Sequence, residues 1–249
     1  MARFFVRPDA VAGLAVSFDA DETRHLNRVL RLQPGDLVVA LDGRGRELTV
    51  RLTTVGARSA TGAIVETRAS RTESPLALTL VQGLPKADKM AAIVRMATEL
   101  GATRVVPVIA ERSVPRAGRE HDAGRESRWQ RLAREAAKQC GRAVVPEVAT
   151  PLPLAEWLSA PAPPGVLICV WEEARDALAD VLPPPPAERV TVVVGPEGGL
   201  AGREVESLRA AGAIVGRLGP RILRTETAGP VALAILQARY GDLLSAPCP

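Results

Sequence analysis

The sequence predicts an α/β protein in which a small β-barrel precedes a larger domain of alternating strands and helices. Three observations support this fold class. Short alternating segments separated by turns occupy residues 1 to about 70, and strand-like and helix-like segments alternate from about residue 75. Near the C-terminus, two glycine-containing segments each follow a β-branched run and precede a helical pattern. We place the domains at residues 1–72 and 73–249, because a short polar stretch from Ala69 to Ser74 separates the two patterns.

The first domain is expected to contain short strands joined by tight turns. The segments with strand length and alternation are Leu37–Leu41, Glu47–Leu52 and Gly62–Thr67. Between the first two lies Asp-Gly-Arg-Gly at 42–45, which is typical of a turn. Residues Thr23–Leu32 instead carry apolar residues at helical spacing, so a helix with an apolar stripe is expected there. The stripe is Leu26, Val29, Leu30 and Leu32, and Arg24, Arg28 and Arg31 fall on another face.

The second domain is expected to alternate strands with helices. The predicted strands are Leu76–Gln82, Arg104–Ile109, Val166–Val170 and Val190–Val194. The predicted helices are Lys86–Leu100, Ser127–Cys140 and Thr227–Leu244. Gly101 and Gly141 follow the first two helices, as is common at a helix C-terminus. The last two strands are continuous apolar runs, which indicates that both of their faces are covered.

The last predicted helix is unusually apolar. Its start at Thr227 places Pro230 in the first turn, where proline's missing N–H costs little. Apolar residues then point in nearly every direction: Val231, Leu233, Ala234, Ile235, Leu236 and Ala238. This pattern predicts burial on all faces or a subunit interface.

Composition is that of an ordinary globular protein, with 47% apolar and 24% charged residues in 249. The longest apolar runs are far shorter than the roughly 20 residues of a membrane helix, and the N-terminus lacks a signal-peptide core. We therefore expect a cytoplasmic protein with no membrane partner. The net charge is +4, and 29 of the 32 basic residues are arginine, which suits phosphate and base recognition. A compositional bias of the genome explains the arginines equally well.

Cysteine and histidine give no sign of a metal site. Cys140, Cys169 and Cys248 have no metal-ligand spacing, and their odd number argues against a disulfide framework. His25 and His121 lie far apart in the sequence. We therefore expect no bound metal.

The two glycine-containing segments run from Val193 to Leu200 and from Leu218 to Ala228. In adjacent strand–helix units they would meet at the carboxyl edge of the sheet, where open α/β folds bind ligands. The first lacks the lysine of a phosphate-binding loop and the spacing of a dinucleotide fingerprint. Its Glu197 would repel phosphate, whereas a carboxylate among backbone amides suits a ligand with a positive centre, such as the sulfonium S-adenosylmethionine. An ordinary tight turn is the alternative.

The second segment places a cation at the start of a helix. Thr225 or Thr227 is suited to the N-cap, and Glu226 is favourable in a first turn, so helix capping alone explains these three residues. Arg224 is different, because a positive charge at a helix N-terminus opposes the helix dipole. Its position therefore indicates a functional role.

These segments resemble the RsmE family of 16S ribosomal RNA uridine-N3 methyltransferases, within the SPOUT superfamily. The resemblance rests on Gly-Pro-Glu-Gly-Gly at 195–199 and Gly-Pro-Arg-Ile-Leu-Arg-Thr-Glu-Thr-Ala at 219–228. It extends along the chain; the further matching segments are His25 to Arg31 with Gly35-Asp36, Lys86 to Lys89, Ala97 to Ala102, and Arg134 to Arg142 with Pro146. Leu200 departs from the family, which often has phenylalanine there.

The resemblance implies a PUA-like RNA-binding barrel and a SPOUT domain whose C-terminal part forms a deep trefoil knot. It implies a homodimer with the last helix at the interface, and 16S rRNA of the small ribosomal subunit as the substrate. The cofactor would be S-adenosylmethionine, held by residues of both segments: Val194, Gly195, Pro196, Glu197, Gly198, Gly199, Leu218, Gly219, Leu223, Thr225, Thr227 and Ala228.

Methylation at uridine N3 requires loss of a proton and stabilisation of negative charge on O2 and O4. Arg224 is the candidate for stabilising that anion, and Glu197 or Glu226 for accepting the proton or orienting the cofactor. The candidates for RNA contact are Arg7, Arg28, Arg31, Arg112, Lys138 and Arg142, for each of which an ordinary solvated charge is the alternative.

Three other functions fit the sequence less closely. A related SPOUT enzyme would methylate another target, such as a ribose hydroxyl or a tRNA base. A non-catalytic RNA-binding or ribosome-assembly factor would need no intact cofactor site. A small-molecule α/β enzyme would have no use for the arginine-bearing barrel.

Overall fold

The protein is described by a computed structural model that covers residues 1–113 and 122–244. The chain divides into two compact units. The first comprises Met1–Glu73 and Ala137–Val145, and the second comprises Ser74–Ala136 and Pro146–Pro249. His121 and Cys248, which the sequence analysis considered as metal ligands, lie outside the described residues.

The first unit is built on a six-stranded sheet with the order β1-β4-β5-β6-β3-β2. Its strands are β1 (Arg3–Phe5), β2 (Val11–Ala12), β3 (Ala15–Phe18), β4 (Leu37–Leu41), β5 (Arg46–Val55) and β6 (Ala60–Ala69). The pair β1 and β4 is parallel and the other neighbours are antiparallel. All three predicted strands are present. β5 and β6 extend beyond the predicted bounds and pair along their length, with two irregularities in register.

A short helix follows β3 and differs from the predicted one. Helix α1 (Ala20–Arg24) begins after Asp19, whose carboxylate caps the backbone N–H of Glu22, and a π-helical turn at His25–Val29 continues it. Leu26 is fully buried, but Val29 is 67% and Leu30 is 41% exposed. The predicted apolar residues therefore do not form one continuous stripe on the core side. The π turn changes the angular spacing of side chains, and Arg31 leaves the helical conformation with φ of +54°.

The second unit contains a seven-stranded parallel sheet. Along its main path the order is β10-β8-β7-β12-β11-β13, and β9 pairs with β8. The strands are β7 (Ala77–Gly83), β8 (Ala102–Ile109), β9 (Glu147–Val148), β10 (Leu152–Pro153), β11 (Val166–Val170), β12 (Arg189–Val194) and β13 (Ile214–Gly216). The four predicted strands form β7, β8, β11 and β12, and the two continuous apolar runs lie in the interior of the sheet, as predicted.

The part of the chain that the structure describes contains six more α-helices. They are α2 (Lys89–Glu99), α3 (Asp122–Cys140), α4 (Leu154–Ser159), α5 (Leu178–Val181), α6 (Gly202–Ala210) and α7 (Thr225–Tyr240). Gly101 and Gly141 follow α2 and α3 with φ of +78° and +83°, which confirms their role at helix ends. Among the described residues no helix is long and apolar enough to cross a membrane.

Helix α7 differs from its prediction at both ends. It begins at Thr225 instead of Thr227 and ends at Tyr240 instead of Leu244, before Gly241. Pro230 therefore lies inside the helix and not in its first turn. One face of α7 is buried against α2, β7 and β12. The opposite face is only partly covered, and it carries Val231, Ala234, Ile235 and Ala238. Of the two predicted alternatives, burial of every face of the helix is therefore wrong within this chain.

Candidate active site

A pocket of about 390 Å³ lies beyond the carboxyl ends of β11, β12 and β13. This volume is within the range of small-molecule sites. The two glycine-containing segments form most of its wall. The lining residues are Lys89, Val170, Glu172, Val194, Gly195, Pro196, Glu197, Gly199, Arg217, Leu218, Gly219, Pro220, Arg221, Ile222, Leu223, Arg224, Thr225 and Ala228.

The loop after β12 needs glycine because its backbone is closely packed. A Cβ on Gly195 would lie 2.9 Å from the carbonyl carbon of Gly199. Gly199 has φ of +70°, and a Cβ there would overlap the carboxylate of Glu172. Gly83, at the end of β7, approaches the same loop so closely that a Cβ would lie 2.5 Å from the ring of Pro196. The loop is thus held by backbone contacts that side chains would prevent.

A buried hydrogen-bond cluster joins this loop to the start of α7. The Thr225 hydroxyl donates to the carbonyl of Gly195 over 2.8 Å and accepts a hydrogen bond from Gln82 Nε2 over 3.0 Å. Gln82 Nε2 also contacts the carbonyls of Gly83 and Gly195. The N-cap position of α7 is occupied by Arg224, and Thr225 is the first residue of the helix. The Thr225 hydroxyl therefore holds the loop after β12 and does not cap the helix.

Three charged side chains meet at the edge of the pocket. The ammonium of Lys89 lies 3.0 Å from Glu197 Oε1 and 3.1 Å from Glu226 Oε2. Both oxygens of Glu197 also accept a hydrogen bond from the backbone N–H of Lys86. Each of the three side chains is between 24% and 31% exposed, so the group is partly shielded from solvent.

These contacts shift the pKa of all three groups. Burial raises the pKa of Glu197, but hydrogen bonds from Lys89 and from backbone N–H groups outweigh it, and the net pKa is lowered. The pKa of Glu226 is lowered by its own backbone N–H at the helix start, with Lys89 and Arg224 outweighing the effect of burial. The two carboxylates in turn raise the pKa of Lys89. All three groups are therefore charged at neutral pH.

Arg224 lines the pocket at its rim. It occupies the N-cap position of α7 and supplies no capping hydrogen bond from its side chain. The guanidinium lies 4.0 Å from Glu226, and the side chain is 82% exposed. A solvent-exposed cation beside the pocket can reach a second molecule that approaches from outside.

Ten of the twelve residues predicted to hold a cofactor line this pocket, and Gly198 and Thr227 do not. Gly198 instead packs on Arg112, whose guanidinium donates to the Gly198 carbonyl over 3.1 Å. Thr227 is exposed on α7. Of the predicted catalytic residues, Glu197 and Arg224 line the pocket, and Glu226 is joined to it through Lys89.

Several residues of the pocket were not predicted from the sequence. Glu172 lies two residues after β11 and could have been found by the rule that strand ends form the ligand edge. Lys89 belongs to a segment that matches the family, Lys86 to Lys89, but its spacing did not connect it to this pocket, because it lies at the start of α2 and reaches the site only through the folded chain. The other missed lining residues are Val170, Arg217, Pro220, Arg221 and Ile222.

Two residues predicted to contact RNA are buried in ion pairs of the first unit. Lys138 lies 2.7 Å from Glu22, and its side chain is only 13% exposed. Arg142 lies 2.9 Å from Glu73, and its side chain is 4% exposed. The structure contradicts an RNA-contacting role for both, because each charged group is buried and paired with a carboxylate of the same unit. Of the same group, the exposed residues are Arg7, Arg28, Arg31 and Arg112.

Comparison with known proteins gives consistent matches over most of the chain. An RNA methyltransferase domain family matches residues 72–237, and an RNA methyltransferase PUA domain family matches residues 18–65. The ribosomal RNA small subunit methyltransferase E of Synechocystis is 35% identical over 95% of this chain and 77% of its own length. The Bacillus subtilis protein of the same name is 32% identical over 88% of each chain.

Solved structures agree with the sequence matches. The crystal structure of ribosomal RNA small subunit methyltransferase E from Neisseria gonorrhoeae, bound to S-adenosyl methionine, is 34% identical. It superposes with a TM-score of 0.87, and the match covers 97% of this chain and 99% of that one. With the two family matches and the full-length relatives, this similarity shows that the chain belongs to the ribosomal RNA small subunit methyltransferase E family.

Proposed function

We propose that this protein transfers a methyl group from S-adenosylmethionine to N3 of a specific uridine in 16S rRNA of the small ribosomal subunit. The observation that carries the proposal is the pocket at the carboxyl edge of the parallel sheet, with two glycine-rich walls, internal carboxylates and an exposed arginine at its rim. A family member with 34% identity was solved with S-adenosyl methionine bound.

The residues of the pocket fit this cofactor chemically. Gly195 and Gly199 allow the loop after β12 to pack tightly in the pocket wall, and at Gly219 the absence of a Cβ leaves open space for a flat base or a ribose. Apolar side chains such as Val194 and Leu223 suit an adenine ring. The carboxylates of Glu172 and Glu197 suit a positively charged centre. When bound, S-adenosylmethionine supplies an electrophilic methyl group on a sulfonium.

Arg224 is proposed to stabilise the uridine anion. Loss of the N3 proton spreads negative charge over the two neighbouring carbonyl oxygens, and a planar guanidinium at the rim can donate to them. Its 82% exposure leaves it accessible to a base presented from outside. Holding the anion lowers the free energy of deprotonation, which raises the fraction of reactive base at neutral pH.

The two glutamates are poorly suited as strong bases. Each has a lowered pKa because it is paired with Lys89, among other groups. A carboxylate with a lowered pKa takes a proton from uridine less readily. We therefore propose that Glu197 and Glu226 act chiefly by orienting the cofactor and the Lys89 ammonium, and that the N3 proton leaves to solvent.

RNA is proposed to bind exposed arginines of the first unit and of the loop after β8. Arg7, Arg28, Arg31 and Arg112 remain candidates after the structure removes Lys138 and Arg142. Because such contacts release counterions from the phosphates, RNA affinity should fall steeply as salt is raised. A flat salt dependence would remove these arginines from the proposal.

We further propose that residues 1–72 form a PUA-like RNA-binding domain and residues 73–249 a SPOUT domain with a trefoil knot. A trefoil knot requires the C-terminal helix to return to earlier segments of the domain, and α7 contacts two of them. Thr225 at its start donates a hydrogen bond to the carbonyl of Gly195 after β12, and Tyr240 at its end donates to the carbonyl of Pro183, between β11 and β12.

An rRNA substrate also implies that the enzyme acts in the cytoplasm.

A homodimer through the second domain is proposed from the surface of α7. Its partly exposed face carries a stripe of apolar residues, namely Val231, Ala234, Ile235 and Ala238. Their spacing puts all four on one side of the helix, where a second copy of the chain can cover them.

The decisive test is a methylation assay with the purified protein and labelled S-adenosylmethionine. Free 16S rRNA and assembled small subunits lacking the modification serve as parallel substrates, and the product is mapped to the nucleotide and atom. We expect one N3-methyluridine. Methylation of a ribose hydroxyl or another base would assign the protein to a different target. Cofactor binding without transfer to either substrate would indicate a non-catalytic factor.

A further inference from the structure

Lys89 lies where three separate segments of the second unit meet. It is the first residue of α2, Glu197 belongs to the loop after β12, and Glu226 belongs to the first turn of α7. The ammonium lies 3.0 Å from one carboxylate and 3.1 Å from the other. The two glutamates come from the two glycine-containing segments, which form most of the pocket wall.

Without a cation between them, these carboxylates would repel each other. Each lies within about 3 Å of the same nitrogen, so their oxygens are at most about 6 Å apart, and repulsion at such distances raises the pKa of one group. The backbone N–H of Lys86 fixes Glu197 but has no contact with Glu226. Within the described residues, the Arg224 guanidinium is the other cation near Glu226, at 4.0 Å, and it is exposed.

We propose that Lys89 is a positioning residue of the methyl-transfer site, which holds Glu197 and Glu226 together so that the two pocket walls keep one geometry for the cofactor. The inference rests on the proposed function, because it assumes that the pocket binds S-adenosylmethionine. The network carries a net charge of −1, since one ammonium lies between two carboxylates. It therefore leaves negative charge beside the pocket for a sulfonium while preventing repulsion between the walls.

The charged groups that surround this network define the test. The residues before α2 contribute Lys86 and Asp88, and Asp88 is paired with Arg128. Arg224 lies beside Glu226 at the start of α7. The other charged residues of the pocket wall are Glu172, Arg217 and Arg221. Lys86 offers a matched control. Its exposed side chain carries the same charge three residues from Lys89, and its contact with Glu197 is made by the backbone N–H, which substitution to methionine retains.

The experiment measures binding of S-adenosylmethionine by calorimetry between pH 5 and pH 8 without RNA. We expect Lys89→Met to weaken binding about tenfold at pH 7, as for loss of a partly shielded charge network. We also expect the loss of affinity on acidification to begin at a higher pH in this variant, because one carboxylate takes up a proton more readily once the ammonium is gone. Lys89→Arg should retain most of the affinity and the wild-type pH dependence, and Lys86→Met should bind within about twofold of wild type.

A second pair of variants distinguishes loss of the proposed positioning role from a general folding defect. In the Glu226→Gln background, Lys89→Met should cost much less affinity than in the wild type, because there is no second carboxylate to hold. Equal losses in both backgrounds, or wild-type affinity and pH dependence in Lys89→Met, would overturn the role of Lys89. If the wild-type protein itself binds no S-adenosylmethionine, the proposed function fails and not the inference alone.

Discussion

The hydroxyl of Thr225 donates a hydrogen bond to the carbonyl oxygen of Gly195 over 2.8 Å, and the two residues are 30 positions apart in the sequence. The same hydroxyl accepts a hydrogen bond from the buried side chain of Gln82. This contact joins the start of α7 to the loop after β12. The pocket therefore depends on a hydroxyl that, from the sequence alone, is indistinguishable from a helix cap.

Replacing Thr225 with valine should destabilise the second unit. The substitution keeps the shape of the side chain but removes one donor and one acceptor, and it leaves the Gly195 carbonyl with only the longer contact from Gln82. We expect the free energy of unfolding to fall by about 1–2 kcal/mol, measured by urea denaturation. Thr227→Val is the matched control, because Thr227 is exposed on the same helix turn, and its effect should stay within about 0.5 kcal/mol. Equal effects of the two variants would contradict the role of Thr225.

Gly199 should not tolerate a side chain. Its φ of +70° costs alanine about 1–2 kcal/mol, and the Cβ would overlap the carboxylate of Glu172 in the pocket wall. We expect Gly199→Ala to lower S-adenosylmethionine affinity by about tenfold or more in calorimetry. Gly202→Ala provides the comparison, since it lies at the start of α6 with no heavy atom within 4 Å of the added Cβ. Unchanged affinity in Gly199→Ala would show that the close packing of this loop does not matter for binding.

Removing the Arg224 side chain should affect the chemical step more than the fold. Because the guanidinium is 82% exposed, Arg224→Ala should leave the unfolding free energy within about 0.5 kcal/mol of wild type. The rate of methyl transfer at saturating substrate should fall about 100-fold or more, as for loss of a group that stabilises a developing anion. Single-turnover methylation measures that rate, and calorimetry checks that cofactor affinity is retained. Near-native turnover would exclude the proposed role.

The pocket walls could be predicted from the sequence, but the network behind them could not. Glycine at Gly195 and Gly199 is a local signal, because a tight turn after a strand requires it in almost any context. Lys89 and Gln82 reach the site only through distant pairings, with contacts to Glu226 and Thr225 across more than a hundred residues. No local sequence pattern indicates contacts between residues so far apart in the chain. The contact of Gln82 with Thr225 depends on β7 and β12 being neighbours in the sheet, which strand propensities alone do not specify.

The prediction of surface residues failed for the same reason. Arg142 was expected to contact RNA, yet Glu73, 69 residues earlier, binds its guanidinium within the first unit. The helical spacing of Val29 and Leu30 also predicted one apolar stripe with Leu26, but in the π-helical turn Leu26 is buried whereas Val29 and Leu30 are exposed. In both cases the sequence gives the type of residue but not the partner or the turn geometry that decides its exposure.

Asp42 should make the stability of the first unit depend on pH. Its buried carboxylate accepts hydrogen bonds from the backbone N–H groups of Arg44 and Arg46 and from the Arg46 side chain. Burial raises the pKa of Asp42, but these contacts outweigh it and the net pKa lies below the usual 3.8. A lowered folded-state pKa means that the carboxylate stabilises the unit fully above about pH 4 and loses that effect as the pH falls through the folded-state value.

Asp42→Asn tests this assignment. At pH 7 the variant should lose about 1–3 kcal/mol of unfolding free energy, because an amide satisfies the three donors less well than a carboxylate. The difference from wild type should shrink as the pH is lowered below about 4, because the carboxyl is then protonated in the unfolded state and, at still lower pH, in the folded state. Urea denaturation at pH 7, 5, 4 and 3 measures both effects. A difference that stays constant over this range would rule out the charge of Asp42 as its source.

The apolar face of α7 should determine the oligomeric state. Val231, Ala234, Ile235 and Ala238 are partly exposed on one side of the helix, while the other side is buried against α2 and the sheet. Placing a charge in the middle of this face should prevent a second copy from covering it, because an unpaired buried charge costs several kcal/mol. We therefore expect Ile235→Arg to convert a dimer into a monomer in light scattering coupled to size exclusion. Val65→Arg, at an exposed apolar position on β6, should leave the dimer intact. A monomeric wild-type protein, or a dimer that survives Ile235→Arg, would show that α7 does not form the subunit interface.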